Sequence, residues 1–350
     1  MNESLMRFSE MNRREVIAGG AAFAGAAALP VSRANAQSEG LGSASELTAG
    51  VQKFVGTLDP ERRKAASFPW GGAEWRGWNY FGASGYIKPG LRFEQMTAGQ
   101  KEAGWELLSA VWSPAGVAKA KTVMLLQSVL ASMGDAPDRR SPERFSFSVF
   151  GTPAEKGAWG FRFEGHHLTQ SIAVRDGRIV SLTPFSFSVR PNRVESGPHK
   201  GLNTLKNEDG LARKLFGDLA PALQAKARVS DSPIYNILSS AGRERANAKK
   251  EGLAAASLSS AQRDLLWQLV ETYSVEQVPA TLADAQRARI RTGDREAVHL
   301  AWHGPNISNK GFGYRLIGDS FVIEFASVDS EAQHLHTIYN DLGNVLGTSA

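Results

Sequence analysis

Six of the seven histidines fall in three pairs, His166 with His167, His299 with His303, and His334 with His336; the seventh, His199, stands in a Gly-Pro turn. Imidazole is the commonest ligand for transition metals and the usual side chain for acid–base work near neutral pH. Side chains alternate along a strand, so His334-Leu335-His336 presents two imidazoles on one face. His299 and His303 share a face in the same way, with Ala301 between them. After His167, Leu168, Ile172 and Val174 point one way, which leaves His167, Thr169 and Ser171 on the other, polar face. The three pairs point to one polar site. A metal centre is the first reading, a metal-free ligand pocket the second, and structural histidines the third. Glu164, Asp319, Glu324 and Asp341 are the acids within reach by register, and Glu164, next to the first pair, is the expected general base.

Other chemistries have weaker footing. The chain has no cysteine, which removes thiolate metal sites, iron–sulfur clusters, disulfides and a Cys nucleophile. Gly82-Ala83-Ser84-Gly85-Tyr86 lacks the last glycine of a nucleophile elbow, and Gly311-Phe312-Gly313 lacks the third glycine of a dinucleotide fingerprint. There is neither a phosphate-cradling loop before Lys-Ser/Thr nor a His-Glu-x-x-His helix. A Ser/His pairing stays open, because triads are set by geometry and not by spacing. Lys and Arg are spread along the chain, so the formal charge of +5 does not form a nucleic-acid footprint. With 42% hydrophobic and 21% charged residues, the composition is that of a globular protein.

The elements that must position these residues are legible in outline. Thr97 followed by Gln100 is a capping box that opens a helix carrying Trp105, Leu107, Leu108 and Val111. A second helix is expected from about 117 to 131, with Val123, Leu126 and Leu130 along one stripe. Four strands follow near 144–150, 159–164, 167–174 and 178–184, the last two joined by an Asp176-Gly177 hairpin signal. The same plan recurs. Met96 to Leu107 is matched by Leu258 to Leu269, while Gly151 and Gly304, Trp159 and Phe312, and Asp176 and Asp329 are each 153 residues apart. One offset held through a strand end, a strand and a turn predicts an α+β fold built from a duplicated unit of two helices plus a four-stranded antiparallel meander, the two copies packed with approximate two-fold symmetry.

The copies are expected at about 94–190 and 258–340 within one domain of residues 67–348, with an insertion at about 191–257. In that insertion 202–227 reads as helical and 241–256 as an exposed helix or mobile segment. Residues 37–66 read as a polar linker ending in a short helix near 47–58. The histidines fall where the other copy has different residues: His299 matches Ser146, His303 Phe150, His334 Ser181, His336 Thr183, and His166-His167 match Asp319-Ser320. A shared scaffold does not require them. Yet in a plain meander the strands of His299 and His336 lie three positions apart, roughly 14 Å at ~4.8 Å per strand. Bringing five histidines to one ion therefore requires the sheet to curl or the two copies to meet there.

Three further features bear on function. Trp70, Trp75, Trp78, Tyr80, Phe81 and Tyr86 form an aromatic run in which Trp75, Trp78 and Tyr80 could stack a ligand, although core packing is the commoner use. Arg162 and Arg315 are equivalent and could clamp a carboxylate or repeat a structural hydrogen bond. Arg13-Arg14, a short Ala/Gly-rich apolar stretch over 16–29 and Ala34-Asn35-Ala36 resemble a twin-arginine signal peptide over residues 1–36. Cleavage near Ala36 would leave a periplasmic or secreted protein without a stable membrane anchor.

Taken together, these stretches resemble the Domain of Unknown Function 3500 family over about 70–347. The resemblance rests on Gly90-Leu91 leading to Met96-Thr97 and Gln100, then Trp159-Gly160 and Glu164-Gly165-His166-His167-Leu168. It continues through Thr183-Pro184, Gly197-Pro198 with Gly201, and His334-Leu335-His336. The family has no established activity, so the resemblance implies no reaction. After His336 the family pattern has an Arg-Asp pair and a later Asp-Phe-Gly, where this chain has Asn340-Asp341 and Val345-Leu346-Gly347.

The resulting expectation is an exported metal-dependent hydrolase. His166, His167, His299, His303, His334 and His336 supply the ligands of one divalent ion (zinc, iron, copper or manganese), Glu164 acts as base, and Trp75, Trp78, Arg162 and Arg315 bind a small-molecule substrate. The alternative is a non-catalytic periplasmic binding protein for a small molecule or carbohydrate, and redox chemistry at iron or copper is a third possibility. The twin-arginine export machinery is the one macromolecular partner expected.

Overall fold

The computed structural model describes residues 40–81 and 88–348. The signal-like segment at 1–36 and the Gly82–Tyr86 run lie outside the described residues. Helix starts follow from local capping chemistry. After α1 (Ser45–Gly56), the Asp59 carboxylate accepts from the Arg62 amide and Pro60 opens α2 (Pro60–Ala66). A single turn, α3 (Ala73–Arg76), follows. Thr97 and Gln100 form the expected reciprocal box at the start of α4 (Ala98–Val111), and Ser113 with Pro114 starts α5 (Pro114–Ser132). Next come α6 (Lys206–Gly217) and α7 (Pro221–Ala227), then α8 (Ser260–Ser274) with a Ser259/Gln262 box, and α9 (Ala280–Ile290).

The strands, in chain order, are β1 (Gly42–Ser43), β2 (Ser67–Phe68), β3 (Leu91–Arg92), β4 (Ser146–Phe150), β5 (Ala158–Gly165), β6 (Leu168–Arg175), β7 (Arg178–Ser181) and β8 (Phe185–Phe187). Then follow β9 (Arg228–Ser230), β10 (Leu253–Ala254), β11 (His299–His303), β12 (Gly313–Ile317), β13 (Phe321–Ser327) and β14 (Leu335–Asp341). One mostly antiparallel sheet runs β10-β11-β12-β13-β14-β8-β6-β5-β4-β2. The fold is thus α+β. The two strand sets also pair in the same register: Ser146 opposes Glu164 and Phe150 opposes Gly160, while 153 residues on His299 opposes Ile317 and His303 opposes Gly313. The halves meet where β14 pairs β8 through Tyr339 and Phe185 and β8 pairs β6.

The sheet has two different faces. One carries Phe147, Phe161, Phe163, Leu168, Tyr314, Leu316 and Ile323, which pack with Leu107, Val123, Leu266 and Val270 of the helices into the main core. The other is covered by irregular chain. There Trp75, Trp78, Tyr80, Ile237, Val345 and Leu346 pack over Phe150, Ala173 and Ile338 as a second, smaller core.

Three local expectations are corrected. The short helix expected near 47–58 is present as α1, but the chain leading into it is not a free tether, because Leu41 and Ala44 are buried in the main core with Leu47, Val51, Phe54 and Leu58. The stretch 202–227 is two helices, broken where Pro221 cannot donate to the preceding turn. Residues 241–251 are not helical. They are held as irregular chain by side chains that reach out to them, with Trp78 Nε1 donating to Glu244 (2.7 Å) and the Arg315 guanidinium donating to the Asn247 carbonyl and Glu251.

The equivalent arginines do the same job twice. Arg162 is fully buried and donates to Ser171 Oγ (2.8 Å) and to the carbonyls of Glu74 (2.8 Å) and Trp75; Arg315 bonds Glu324 (3.0 Å), Glu251 and Asn247. Each pins covering chain to the sheet. Arg162→Leu leaves these acceptors unpaired in a dry interior and deprives Glu164 of one of its two neighbouring cations. It is expected to lower stability by about 3 kcal/mol or more in urea unfolding. A loss within about 0.5 kcal/mol would contradict this role.

Candidate functional site

Two residues, His166 and His167, make the turn between β5 and β6, since Gly165 opposes Leu168. A Cβ at position 165 would collide with the Phe145 ring, so the strand needs glycine as it enters the turn. His167 takes a positive φ of 68°, a conformation that non-glycine residues adopt mainly in such turns. Its amide donates to the Tyr80 carbonyl and its own carbonyl accepts from the Ser188 amide, both at 2.8 Å. Beside it, His334 and His336 flank Leu335, which is buried in the main core, so both imidazoles take the opposite face. Leu335 and Val189 exchange backbone hydrogen bonds at 2.9 Å, which fixes this end of β14 against the chain leaving β8.

Between His167 and the β14 pair runs only β8. Strands two apart are separated by about 10 Å, so imidazoles from both sides meet only if the middle strand carries nothing bulky on that face. Phe185 and Phe187 belong to the main core, which leaves Ser186 and Ser188 on the histidine side. Both are buried, their hydroxyls 3.0 Å apart, and Ser188 Oγ accepts from the Thr337 amide at 3.0 Å.

The result is a convergence of three Nε2 atoms. His334 Nε2 lies 3.0 Å from His167 Nε2 and 3.1 Å from His336 Nε2, and the three ligand nitrogens lie within 4.8 Å of one another. A neutral imidazole nitrogen offers one proton or one lone pair, so His334 Nε2 cannot make a good hydrogen bond to both neighbours at once. A cation accepting all three lone pairs removes that conflict. Zinc–imidazole bonds of about 2.0–2.1 Å in a tetrahedron put ligand nitrogens ~3.3 Å apart, close to the 3.0 and 3.1 Å that separate His334 Nε2 from its two neighbours.

Protonation favours the same use. Burial, with His166 alongside, holds His167 well below the ordinary histidine range. Burial and Arg190 bring His334 down to about 4, and burial and His334 bring His336 down to about 3. All three are neutral near pH 7 and their lone pairs are free. At His336 the tautomer is fixed from behind. Nδ1 donates to Asn236 Oδ1 at 3.0 Å, and that oxygen also accepts from Tyr80 Oη (2.8 Å) and the Ile237 amide (2.9 Å). A ligand histidine normally rests on such a partner. Phe81, 46% exposed, and Tyr80 flank His336, with ring centroids 6.4 and 4.9 Å from it.

Of the six expected histidine ligands, the structure brings together three. His166 stacks on His167 with ring centroids 3.7 Å apart, but its Nδ1 faces Arg140 (2.7 Å) and Gln127 (2.8 Å); burial and Arg140 hold it down at about 2. His299 and His303 stay on β11, three strands from β14, as the plain meander requires. His299 Nδ1 meets the Ala297 carbonyl at 2.9 Å, and burial lowers the pKa of His303.

No carboxylate joins the trio among the described residues. Glu164 is fully buried between Lys88 (3.7 Å) and Arg162 (3.8 Å), not poised as a base beside the three nitrogens. Glu324 accepts from Arg315, from the Leu238 and Ser239 amides and from the Ser239 hydroxyl. Asp319 pairs with Lys250 and Asp341 with Arg289. Trp75, Trp78, Arg162 and Arg315, expected to bind substrate, are buried and bonded within the protein. The sequence reading missed Asn236 and Ser188 as parts of the histidine site, and Tyr80, expected to stack a ligand, instead holds Asn236. Only the alternation of Ser186 and Ser188 with two phenylalanines carried a signal.

A family model described as a protein of unknown function (DUF3500) matches residues 42–345. The chain belongs to this family. Neither a protein of curated function nor a solved structure matches it. The DUF3500 match takes in both the Glu164–Leu168 run and His334-Leu335-His336, so the whole trio lies inside it. The departure at Asn340-Asp341 lies apart from the trio: Asn340 donates to the Ser239 carbonyl (3.1 Å), and Asp341 meets Arg289 (3.2 Å).

Ser188 tests the geometry without any ligand. Ser188→Leu removes the acceptor for Thr337 and fills the face that the imidazoles span, so stability is expected to fall by about 2–3 kcal/mol in denaturant titration. A neutral effect would show that the rings do not need that space.

Proposed function

We propose that this protein is a metal-dependent hydrolase in which His167, His334 and His336 hold one divalent ion through Nε2. The observation that carries this reading is the convergence of three imidazole nitrogens, two of them 3.0 and 3.1 Å from His334 Nε2, which a single proton on that atom serves only by a weak three-centre bond. Zinc is the best match, because it takes three imidazoles in an open tetrahedral site and needs no thiolate. A set of three neutral imidazoles adds no negative charge, so the ion keeps its full charge, and when bound it supplies Lewis acidity and lowers the pKa of a water to near neutrality.

The chain's own residues then have defined tasks. Asn236 holds His336 in the Nδ1–H tautomer, and Tyr80 holds Asn236. The Tyr80 and Ser188 backbones hold the His167 turn. Phe81 offers an exposed apolar edge for a substrate beside His336. Hydrolysis of an ester or amide adds the water oxygen to the carbonyl carbon and breaks the bond to the leaving group. One water proton goes to the departing alcohol or amine, and no Glu164 base is needed once the water ionises. The binding-protein reading has less support, since the Trp75, Trp78 and Tyr80 side chains it would use are buried.

We further propose that the two strand sets descend from one duplicated unit with approximate two-fold symmetry, supported by pairing registers that repeat at 153 residues. Residues 1–36 support export by the twin-arginine route; retention of an Arg13→Lys/Arg14→Lys variant in the cytoplasm of the native host is the expected result, and unchanged export would refute it.

Titration of chelator-treated protein with cobalt or zinc is expected to give one equivalent bound. His167→Ala, His334→Ala and His336→Ala should each abolish stoichiometric binding, and Asn236→Ala should weaken it by about 10–100-fold. His299→Ala and His303→Ala should bind as the parent does. Activated ester hydrolysis should follow the metal content of these variants. Retained binding after loss of any trio member would contradict the assignment.

A further inference from the structure

One row across the sheet, on the same face as the histidines, carries polar atoms that the scaffold leaves without hydrogen-bond partners. Ser146 opposes Glu164, Glu164 opposes Thr169, and Thr169 opposes Ser186 on β8. Ser146 Oγ, Thr169 Oγ1 and Glu164 Oε1 are fully buried and make no hydrogen bond; Glu164 Oε1 has only its 3.8 Å ion contact with Arg162. Ser148 Oγ is unpartnered as well, but it lies directly under Gly90. Lys88 reaches the same row, donating to the Asn79 carbonyl and side-chain oxygen and standing 3.7 Å from Glu164. Buried polar groups without partners cost about 1–3 kcal/mol each, so three in one row call for a reason.

The other strand set shows that the fold does not require them. The positions 153 residues on are His299, Ile317 and Val322, which oppose one another in the same register. There two of the three are apolar. Proximity to the histidine trio comes from three consecutive residues: the Asn79 amide faces Glu164 at 3.5 Å, the Tyr80 carbonyl receives the His167 amide, and the Phe81 ring stands beside His336.

We propose that Ser146, Glu164 and Thr169, with Lys88, form a substrate subsite next to the three histidines that binds the hydroxyl groups of a neutral polyol or sugar-like molecule. This rests on the hydrolase reading for its role but not for its existence. An anionic ligand meets the acceptor-only carboxylate of Glu164, and a cationic one meets Lys88 and Arg162. Hydroxyls both donate and accept, so a ligand that carries several of them can donate to Glu164 through one and bond Lys88, Ser146 and Thr169 through others. Phe81 adds an apolar surface for the C–H face of such a ligand.

The test uses the exported full chain, the double variant Ser146→Ala/Thr169→Val, and glycerol, myo-inositol and D-glucose as probes at millimolar concentration in saturation-transfer NMR. The parent is expected to give transfer to at least one probe, and the double variant to lose it. The variant should also melt about 2–4 °C higher, because unpartnered groups have been removed. Cobalt stoichiometry should be the same in both proteins. No transfer in the parent, transfer that persists in the variant, or a variant that melts lower than the parent would overturn the proposal. A lower melting point would mean that the hydroxyls are satisfied within the folded protein. Absence of cobalt binding in both proteins, with the NMR result as expected, would remove the metal reading and leave the subsite standing.

Discussion

The structure turns on one seam. β14 and β6 belong to strand sets whose equivalent residues are 153 apart in sequence, and a single three-residue strand, β8, joins them into one sheet. Phenylalanine on the helix side of β8 anchors it in the main core, and serine on the other side leaves room above it. Both properties are needed. Without the anchor the two strand sets do not form one sheet, and without the small side chains His167 cannot approach His334 across about 10 Å. The three imidazoles are thus a consequence of strand order and of which residues alternate in a segment of three.

The polar groups around the seam show how a sheet face becomes a site. A face covered by helices is dry and apolar here; the face covered by irregular chain carries Arg162, Glu164, Arg315 and Glu324, all buried. Each arginine satisfies carbonyls in the covering segments that no secondary structure would otherwise pair. That arrangement stabilises the cover while it leaves backbone and side-chain hydrogen-bonding groups close to the histidines. Asn236 is an example. It lies in the insertion, far in sequence from Tyr80 and His336, and its one oxygen accepts from both.

Periodicity and capping made much of this legible. The Thr97 and Ser259 boxes, the antiparallel strand sets and the alternation at His334-Leu335-His336 follow from short-range rules, and the structure has each of them. The grouping of the histidines did not follow, because it depends on strand order at the seam. Nothing in the spacing of His299 and His303 says whether a sheet curls, and this one keeps them three strands away. Trp75 and Trp78 misled for a related reason: an aromatic run is the same whether it faces a ligand or covers a sheet, and here it covers. Asn236 and Lys88 lie in stretches without periodicity and were beyond any pattern argument.

The central claim is that His167, His334 and His336 share one ion. X-ray absorption at the metal edge of the zinc- or cobalt-loaded protein tests it most directly, because imidazole rings give a distinct outer-shell scattering pattern. The expected result is three imidazole nitrogens at ~2.0–2.1 Å with one or two oxygens completing the shell. A shell of oxygens alone, or one with fewer than three imidazoles, would contradict it.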